Sequence, residues 1–314
     1  MPHLKVDRVS KVYKVGAFGG KELLAVRDVS FEVQPGEVVS LIGESGSGKS
    51  TIGRMILRLL PVTRGAITVD GVDIAQLKHK KLKGYWRTTQ GVFQDPFSSY
   101  NPIFKADRIF RLVRESYFSS VGSAEWKSKL AASLEAVSLD PGQVLNKYPH
   151  QLSGGQLQRL LIARALLLDI EFLVADEVIS MLDASTRIDV LNLLGDLKAR
   201  GLGIVFITHD LSLGNYISEK TVILRRGAVV EMGATDKVFG NPQHPYTKML
   251  LASVPQLHSK WEELDPQLKA QITELAGSQA ADRPYAEAGR AVLPADRDGA
   301  ELVEVEHDHL AAPV

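Results

Sequence analysis

The 314 residues carry 37 Lys plus Arg against 37 Asp plus Glu and no cysteine; 45% of them are apolar and 24% are charged. That balance gives no electrostatic case for a nucleic-acid or anionic-membrane binder, and the missing thiols exclude disulfides, thiolate zinc sites and cysteine-held iron–sulfur clusters and fit a reducing cytoplasm. The length holds one large domain or two modest ones, and no apolar run reaches the ~18 residues of a membrane span, residues 160–175 being broken by Arg164, Asp169 and Glu171.

Leu4-Lys5-Val6-Asp7-Arg8-Val9 alternates apolar and polar side chains and predicts a half-buried strand. Residues 1–12 are charged and strand-like, so a signal peptide is not expected. Tyr13 follows, then a turn marked by Gly16, Gly19 and Gly20. Residues 23–26 and 29–33 read as two further strands. Pro35-Gly36 is the turn before Val38-Val39-Ser40-Leu41-Ile42, a buried strand. That strand feeds Gly43-Glu44-Ser45-Gly46-Ser47-Gly48-Lys49-Ser50-Thr51, which fits the phosphate-loop pattern G-x-x-x-x-G-K-[ST], and a helix is expected from Thr51 to about residue 60. A glycine-rich turn alone would be a tight connection; the preceding strand and the Lys-Ser pair make it a phosphate site. The glycines let successive N–H groups converge on one phosphate chain, and the helix N-terminus adds partial positive charge. Lys49 is expected on the β- and γ-phosphates and the Ser50 hydroxyl on Mg²⁺.

Residues 66–69 with Asp70-Gly71 predict another strand and its turn, so the loop sits beside a small antiparallel sheet. The basic run of Lys78, His79, Lys80, Lys81 and Lys83 reads as a solvated helix face. Residues 92–96 predict a short strand stopped by Pro96, with Gln94 at its end, and 97–102 an aromatic-rich loop. Helical patterns run on to about residue 137, where Asp140-Pro141-Gly142 breaks them. This section has no strand pattern and reads as a helical insertion over about 95–165. Leu152-Ser153-Gly154-Gly155-Gln156 opens a helix over 157–168, and a buried strand over 172–175 runs into Asp176-Glu177. Residues 188–197 predict a helix and 203–207 a buried strand ending at Thr208-His209-Asp210. Residues 221–224 and 228–230 predict two strands turned by Arg226-Gly227. Buried strands alternating with helices predict a mostly parallel sheet. Beyond Asn241, Pro242, Pro245 and Pro255 crowd together, 277–299 reads as a loose connection, and 301–305 as a last strand.

Asp176 closes a hydrophobic strand, the place where phosphate-loop ATPases hold the Mg²⁺ shell, and Glu177 beside it suits orienting or deprotonating the attacking water. Alone, an Asp-Glu pair would merely cap a strand; downstream of a phosphate loop it is a candidate site. His209 suits contact with the γ-phosphate and its water, and the Gln94 carbonyl suits Mg²⁺ or a water. Ser153-Gly154-Gly155 at a helix start is a second phosphate-binding device. One chain needs only one γ-phosphate site, so this device is read as serving ATP on a partner chain.

With these motifs in this order over roughly residues 4–240, the chain resembles the nucleotide-binding subunit of an ABC transporter. The matching features are the phosphate loop, Gln94, Leu152 to Gln156, Asp176-Glu177, Leu182-Asp183 and His209. The resemblance implies an α/β ABC ATPase cassette: a phosphate-loop parallel sheet core, an antiparallel β subdomain and a helical subdomain. Residues 1–240 would form the cassette and 241–314 a small C-terminal extension. It implies ATP and Mg²⁺ as cofactors, Tyr13 stacked on adenine, and Gln156 and Asp183 among the nucleotide-binding residues. Gln94-Asp95-Pro96-Phe97-Ser98-Ser99-Tyr100-Asn101-Pro102 and Asn241-Pro242-Gln243-His244-Pro245-Tyr246-Thr247-Lys248 are similar to segments of oligopeptide and dipeptide importers, and residues 50–59 to the F-type half of their paired ATPases. The implied partners are a second, non-identical ATPase subunit, two transmembrane permeases and an extracytoplasmic substrate-binding protein, with no nucleic acid, at the cytoplasmic face of the membrane. Oligosaccharide cargo in the same family and a non-transport ABC ATPase are the alternatives. The sequence departs from the family where Val178 replaces the usual proline after the glutamate and Ser180-Met181 replaces Ser-Ala.

Overall fold

The computed structural model describes residues 3–15, 21–253, 285–287 and 302–313. The turn expected at Gly16, Gly19 and Gly20, Pro255 and most of 277–299 lie outside the described residues. In chain order the elements are β1 (Leu4–Val15), β2 (Lys21–Val33), β3 (Val38–Ile42), α1 (Lys49–Ile56), β4 (Arg64–Val69), β5 (Val72–Asp73), α2 (His79–Thr88), β6 (Thr89–Val92), α3 (Arg108–Tyr117), α4 (Ser123–Glu135), α5 (Pro141–Val144), α6 (Gly154–Leu166), β7 (Phe172–Asp176), α7 (Ala184–Ala199), β8 (Gly203–Thr208), α8 (Leu211–Ile217), β9 (Lys220–Arg225), β10 (Ala228–Ala234), α9 (Thr235–Gly240), α10 (Pro245–Ala252), β11 (Tyr285–Glu287), β12 (Val303–Glu306) and β13 (His309–Ala311). They fall into two compact units, Met1–Leu77 with Val205–Val314, and Lys78–Ile204.

The first unit holds an antiparallel sheet in the order β11-β2-β1-β4-β5. Alternation buries Leu4 and Val6 on β1 and Val29, Phe31 and Val33 on β2, and Val9 is buried beyond an irregularity in β1. β2 is one strand where two were expected: Asp28 takes a left-handed φ of 49° and the register with β1 shifts there, so the chain bulges without leaving the sheet. β11 pairs with the outer edge of β2, Tyr285 opposite Leu23, so part of the expected loose connection is a strand.

The unit's other strands lie in the order β12-β13-β10-β9-β3-β8. β3 and β9 are parallel and buried, as their unbroken apolar runs require. β10 returns antiparallel to β9 through Arg226 and Gly227, with φ of 49° and 86°, the two left-handed residues a tight hairpin needs. α1 is shorter than expected. Arg58 adopts φ 58° and turns its guanidinium onto the Ile74 and Ala75 carbonyls at 2.9 and 2.7 Å, so the helix stops at Ile56. A core of Ile42, Leu211, Ile223, Val230, Val238, Tyr246 and Met249 joins β3, β9 and β10 to α8, α9 and α10.

The expected last strand is β12, which with β13 forms a hairpin on the edge of β10. Its anchor is buried and polar. Glu231 of β10 and His309 of β13 are both fully buried, with His309 Nε2 2.7 Å from Glu231 Oε1 and His309 Nδ1 3.1 Å from Glu306. The Gln243 and His244 N–H groups donate to the two Glu231 oxygens at 2.8 and 3.0 Å. Four hydrogen bonds thus satisfy a pair that would otherwise be costly to bury.

In the second unit β6 and β7 are parallel, Val92 opposite Ala175. α6 is buried along most of its length, and α3 and α4 lie against it. Phe118 and Trp126 pack at 5.8 Å between ring centroids. Asp140-Pro141-Gly142 does more than break a helix: Asp140 accepts from the Gly142 N–H and caps α5.

Glu231→Ala removes acceptors from two backbone N–H groups and from the buried His309. It is expected to cost about 3 kcal/mol in urea unfolding. A loss below about 1 kcal/mol would show that the cluster contributes little.

Candidate active site

The residues expected in the site divide between the two units. In the first, β3 ends at Ile42 and the chain turns through 43–48 into α1. Gly48 is the N-cap, with φ 100°. A Cβ there would stand 2.7 Å from the Ala25 carbonyl oxygen, so only glycine lets the loop lie against β2. Gly227 completes the junction. Its N–H donates to the Ser47 carbonyl at 3.1 Å, and its own carbonyl accepts from the Arg27 N–H at 2.7 Å. The loop is therefore tied to β2 through the turn between β9 and β10, a role the sequence pattern of that turn did not reveal.

Lys49 is buried, and its ammonium donates to the Gly43 and Glu44 carbonyls at 2.7 and 2.8 Å and reaches Ser47 Oγ at 3.4 Å. Glu44, Ser45 and Gly46 are exposed and Ser47 is buried, while Ser50 and Thr51 begin α1 half-buried. The Glu44 N–H donates to the Tyr246 hydroxyl at 3.2 Å. Burial pushes the Tyr246 phenol up to about 12, so it stays neutral at ordinary pH. Tyr13 is half-buried on β1 opposite Leu23, with the Lys11 ammonium 5.2 Å from its ring centre. His209 is exposed directly after β8, the strand beside β3, and Asp210 caps α8.

In the second unit Asp176 is the buried last residue of β7. Glu177 follows in a left-handed conformation, φ 49°, with its carbonyl accepting the Ser180 N–H and hydroxyl. Gln94 was expected at a strand end, but β6 stops at Val92 and Gln94 is exposed two residues later. The strand stops early because the chain beyond it serves α6. The Phe93 carbonyl accepts from Gln158 Nε2 at 3.3 Å, and Arg164 donates to Gln90 Oε1 and the Gly91 carbonyl at 3.2 Å each. Asp95 Oδ1 accepts the Phe97 N–H and turns the chain into a short 3-10 helix.

Ser153 caps α6 in a reciprocal box: its hydroxyl accepts the Gln156 N–H and Gln156 Oε1 accepts the Ser153 N–H. Gly155 is where α6 meets the first turn of α7; a Cβ there would stand 2.5 Å from Thr186 Cγ2. Asp183 caps α7, accepting from the Thr186 N–H at 2.9 Å and from the Ser185 and Thr186 hydroxyls at 2.7 and 2.9 Å. The Thr186 N–H first, then the two hydroxyls, pull its carboxyl down to about 2.

Residues 26–180 match the ABC transporter family, and residues 230–285 match the oligopeptide/dipeptide transporter C-terminal region. A putative peptide import ATP-binding protein of Brucella ovis is 42% identical over 256 residues, 81% of this chain and 79% of that protein. The chain belongs to the ABC transporter family. The oligopeptide transport ATP-binding protein OppF of Streptococcus mutans is 40% identical over 254 residues, covering 81% and 82% of the two chains. The ATP-binding cassette MJ0796, solved as a dimer in a post-hydrolysis state with ADP and Pi, superposes with a TM-score of 0.66 at 29% identity, over 74% of this chain and 98% of that one. The fold is thus an ABC ATPase cassette, and the chain is an ATPase of that family.

Within the ABC cassette the structure separates two residues that the sequence treated alike. Phe97 is 49% exposed, whereas Tyr100 is 7% exposed and donates its hydroxyl to the Leu157 carbonyl at 3.0 Å. Tyr100 is a strut onto α6; Phe97 is a surface side chain. Val178, in place of the family's proline, is buried at 2% exposure beside equally buried Ile179, so the departure fills the core next to Glu177.

The depressed Asp183 carboxyl gives a pH signature. The cap is complete above the ordinary carboxylate range and is lost as pH falls through the folded value, a window between about pH 4 and about 2. Side-chain carboxyl NMR should place the Asp183 midpoint near the lower end. A midpoint near 4 would mean that the Thr186 and Ser185 hydrogen bonds do not form in solution.

Proposed function

We propose that this ABC cassette is the ATP-hydrolysing subunit of an importer for oligopeptides or dipeptides, acting at the cytoplasmic face of the membrane. One observation carries the reading: a phosphate loop with a buried lysine, Lys49, in the same chain as an oligopeptide/dipeptide C-terminal region over 230–285. The names of the Brucella and Streptococcus relatives support the cargo class. No described helix is long and apolar enough to cross a membrane, and the reading assigns the spanning to two permease subunits. A second, non-identical cassette and an extracytoplasmic binding protein complete the proposed assembly, with this chain as the F-type half.

The roles follow the motifs. The N–H groups of residues 43–51 and the Lys49 ammonium bind the β- and γ-phosphates, and Tyr13 stacks on adenine. Glu177 orients or deprotonates the attacking water, and His209 holds it against the γ-phosphate. Ser153, Gly154, Gly155 and Gln156, with Asp183, serve the nucleotide of the partner cassette.

A hydroxyl, a carboxylate and an amide oxygen, from Ser50, Asp176 and Gln94, are the hard oxygen donors that suit Mg²⁺. The described residues contain no group of three or more His, Cys, Asp or Glu able to hold a metal ion. When bound, Mg²⁺ would neutralise charge on the β- and γ-oxygens.

Reconstitution tests the reading. Proteoliposomes holding this chain, its partner cassette and the permeases, with the binding protein on the outer side, should take up labelled oligopeptide only with ATP inside. Uptake of oligosaccharide and not peptide would overturn the cargo. Lys49→Ala should cut ATP hydrolysis by at least about 10²-fold, because it removes the cation that stabilises the transferring phosphoryl group; near-normal turnover would remove Lys49 from the chemistry.

Phe97→Ala should lower uptake several-fold more than hydrolysis, since its exposed ring, three residues beyond Gln94, is the proposed contact with a permease. Uptake and hydrolysis falling in strict proportion would make Phe97 purely structural.

A further inference from the structure

Tyr246 lies in the C-terminal region, 202 residues from Glu44 in sequence, yet its hydroxyl accepts the Glu44 N–H at 3.2 Å. The ring is fully buried among Ile42, Ile223, Leu211 and Met249. Ile42 immediately precedes the phosphate loop, and Ile223 is its partner on β9. A buried tyrosine needs a place for its hydroxyl, and here that place is the loop backbone. The Glu44 N–H and the Gly43 carbonyl belong to one planar peptide group. That same carbonyl accepts the Lys49 ammonium at 2.7 Å. Holding the N–H on one side therefore fixes the carbonyl on the other, and with it the lysine.

The tyrosine is itself firmly held. His244 Nδ1 accepts the Tyr246 N–H at 3.0 Å and caps α10, and the His244 and Gln243 N–H groups sit on the buried Glu231 carboxylate. His309 of the C-terminal hairpin lies against that carboxylate at 2.7 Å. Residues 243–246 and the hairpin that carries His309 thus both brace the segment holding this hydroxyl, the kind of support that keeps a site's geometry tight.

We propose that Tyr246 is a positioning residue for ATP: through the peptide between Gly43 and Glu44 it orients the phosphate loop and Lys49. The inference rests on the reading of residues 43–51 as the ATP phosphate site. It gives the C-terminal region a part in nucleotide binding.

Tyr246→Phe keeps the ring and its packing and removes only the hydroxyl. In the full chain, calorimetric affinities for ATP and ADP should weaken about three- to tenfold, the value of one well-placed hydrogen bond. Hydrogen exchange should quicken in the peptide holding Glu44 while the protection of β9 and α10 stays as in the wild type. A role in folding alone would instead lower protection throughout the unit. Wild-type affinity and wild-type exchange at Glu44 in the variant would overturn the proposal. Lys49→Ala, measured alongside, separates the two readings. If Lys49→Ala weakens ATP binding and Tyr246→Phe does not, the Tyr246 proposal fails and the phosphate site stands. If the wild-type chain fails to bind ATP, the phosphate site itself fails.

Discussion

Gly48 and Gly227 meet β2 at a place where a side chain on either would run into the Ala25 carbonyl oxygen, at 2.7 and 2.8 Å. Through this junction the Ser47 carbonyl, the Gly227 peptide and the Arg27 N–H form a short chain of hydrogen bonds. The phosphate loop can converge its N–H groups only if its backbone is held from outside, because a glycine-rich segment has much conformational freedom to lose. The antiparallel sheet holds it on one side and Tyr246 holds it on another. The buried Lys49 ammonium then gathers the Gly43 and Glu44 carbonyls from within. The loop is thus held in shape by the protein around it, the pre-organisation that the proposed phosphate site requires.

The second unit shows the same economy around α6. Tyr100 donates to the Leu157 carbonyl, Gln158 to the Phe93 carbonyl, and Arg164 to Gln90 and Gly91, so the segment on either side of Gln94 is fastened to one helix at three levels. Burial pushes the Arg164 guanidinium down and the Tyr100 phenol up, which marks how little water reaches these struts. The helix so fastened begins at the Ser153 capping box.

Local chemistry was legible in the sequence. The phosphate loop, the strand into Asp176, the helix opened by Leu152 to Gln156 and the turn at Arg226-Gly227 are each written in a few consecutive residues, and the structure places each on the expected element. Where two elements compete for the same residues, the sequence misled. Asp28 looked like a strand break because a left-handed bulge and a turn share the same residue preferences. The strand before Gln94 stops at Val92 because Gln158, 65 residues from Phe93, takes the Phe93 carbonyl. Tyr246 and the pairing of Glu231 with His309 were invisible for the same reason: their partners lie 202 and 78 residues away, and no local pattern encodes them.

In the proposed mechanism this chain's own residues hydrolyse ATP, Glu177 acting on water while the phosphate loop holds the nucleotide. Glu177→Gln keeps the shape and removes the base. Phosphate release from the variant, measured with its partner cassette, should fall by on the order of 10²–10⁴-fold while ATP binding persists. Light scattering of the same sample should show the two cassettes held together by ATP and Mg²⁺ and apart in ADP. Hydrolysis at the wild-type rate would contradict this role for Glu177.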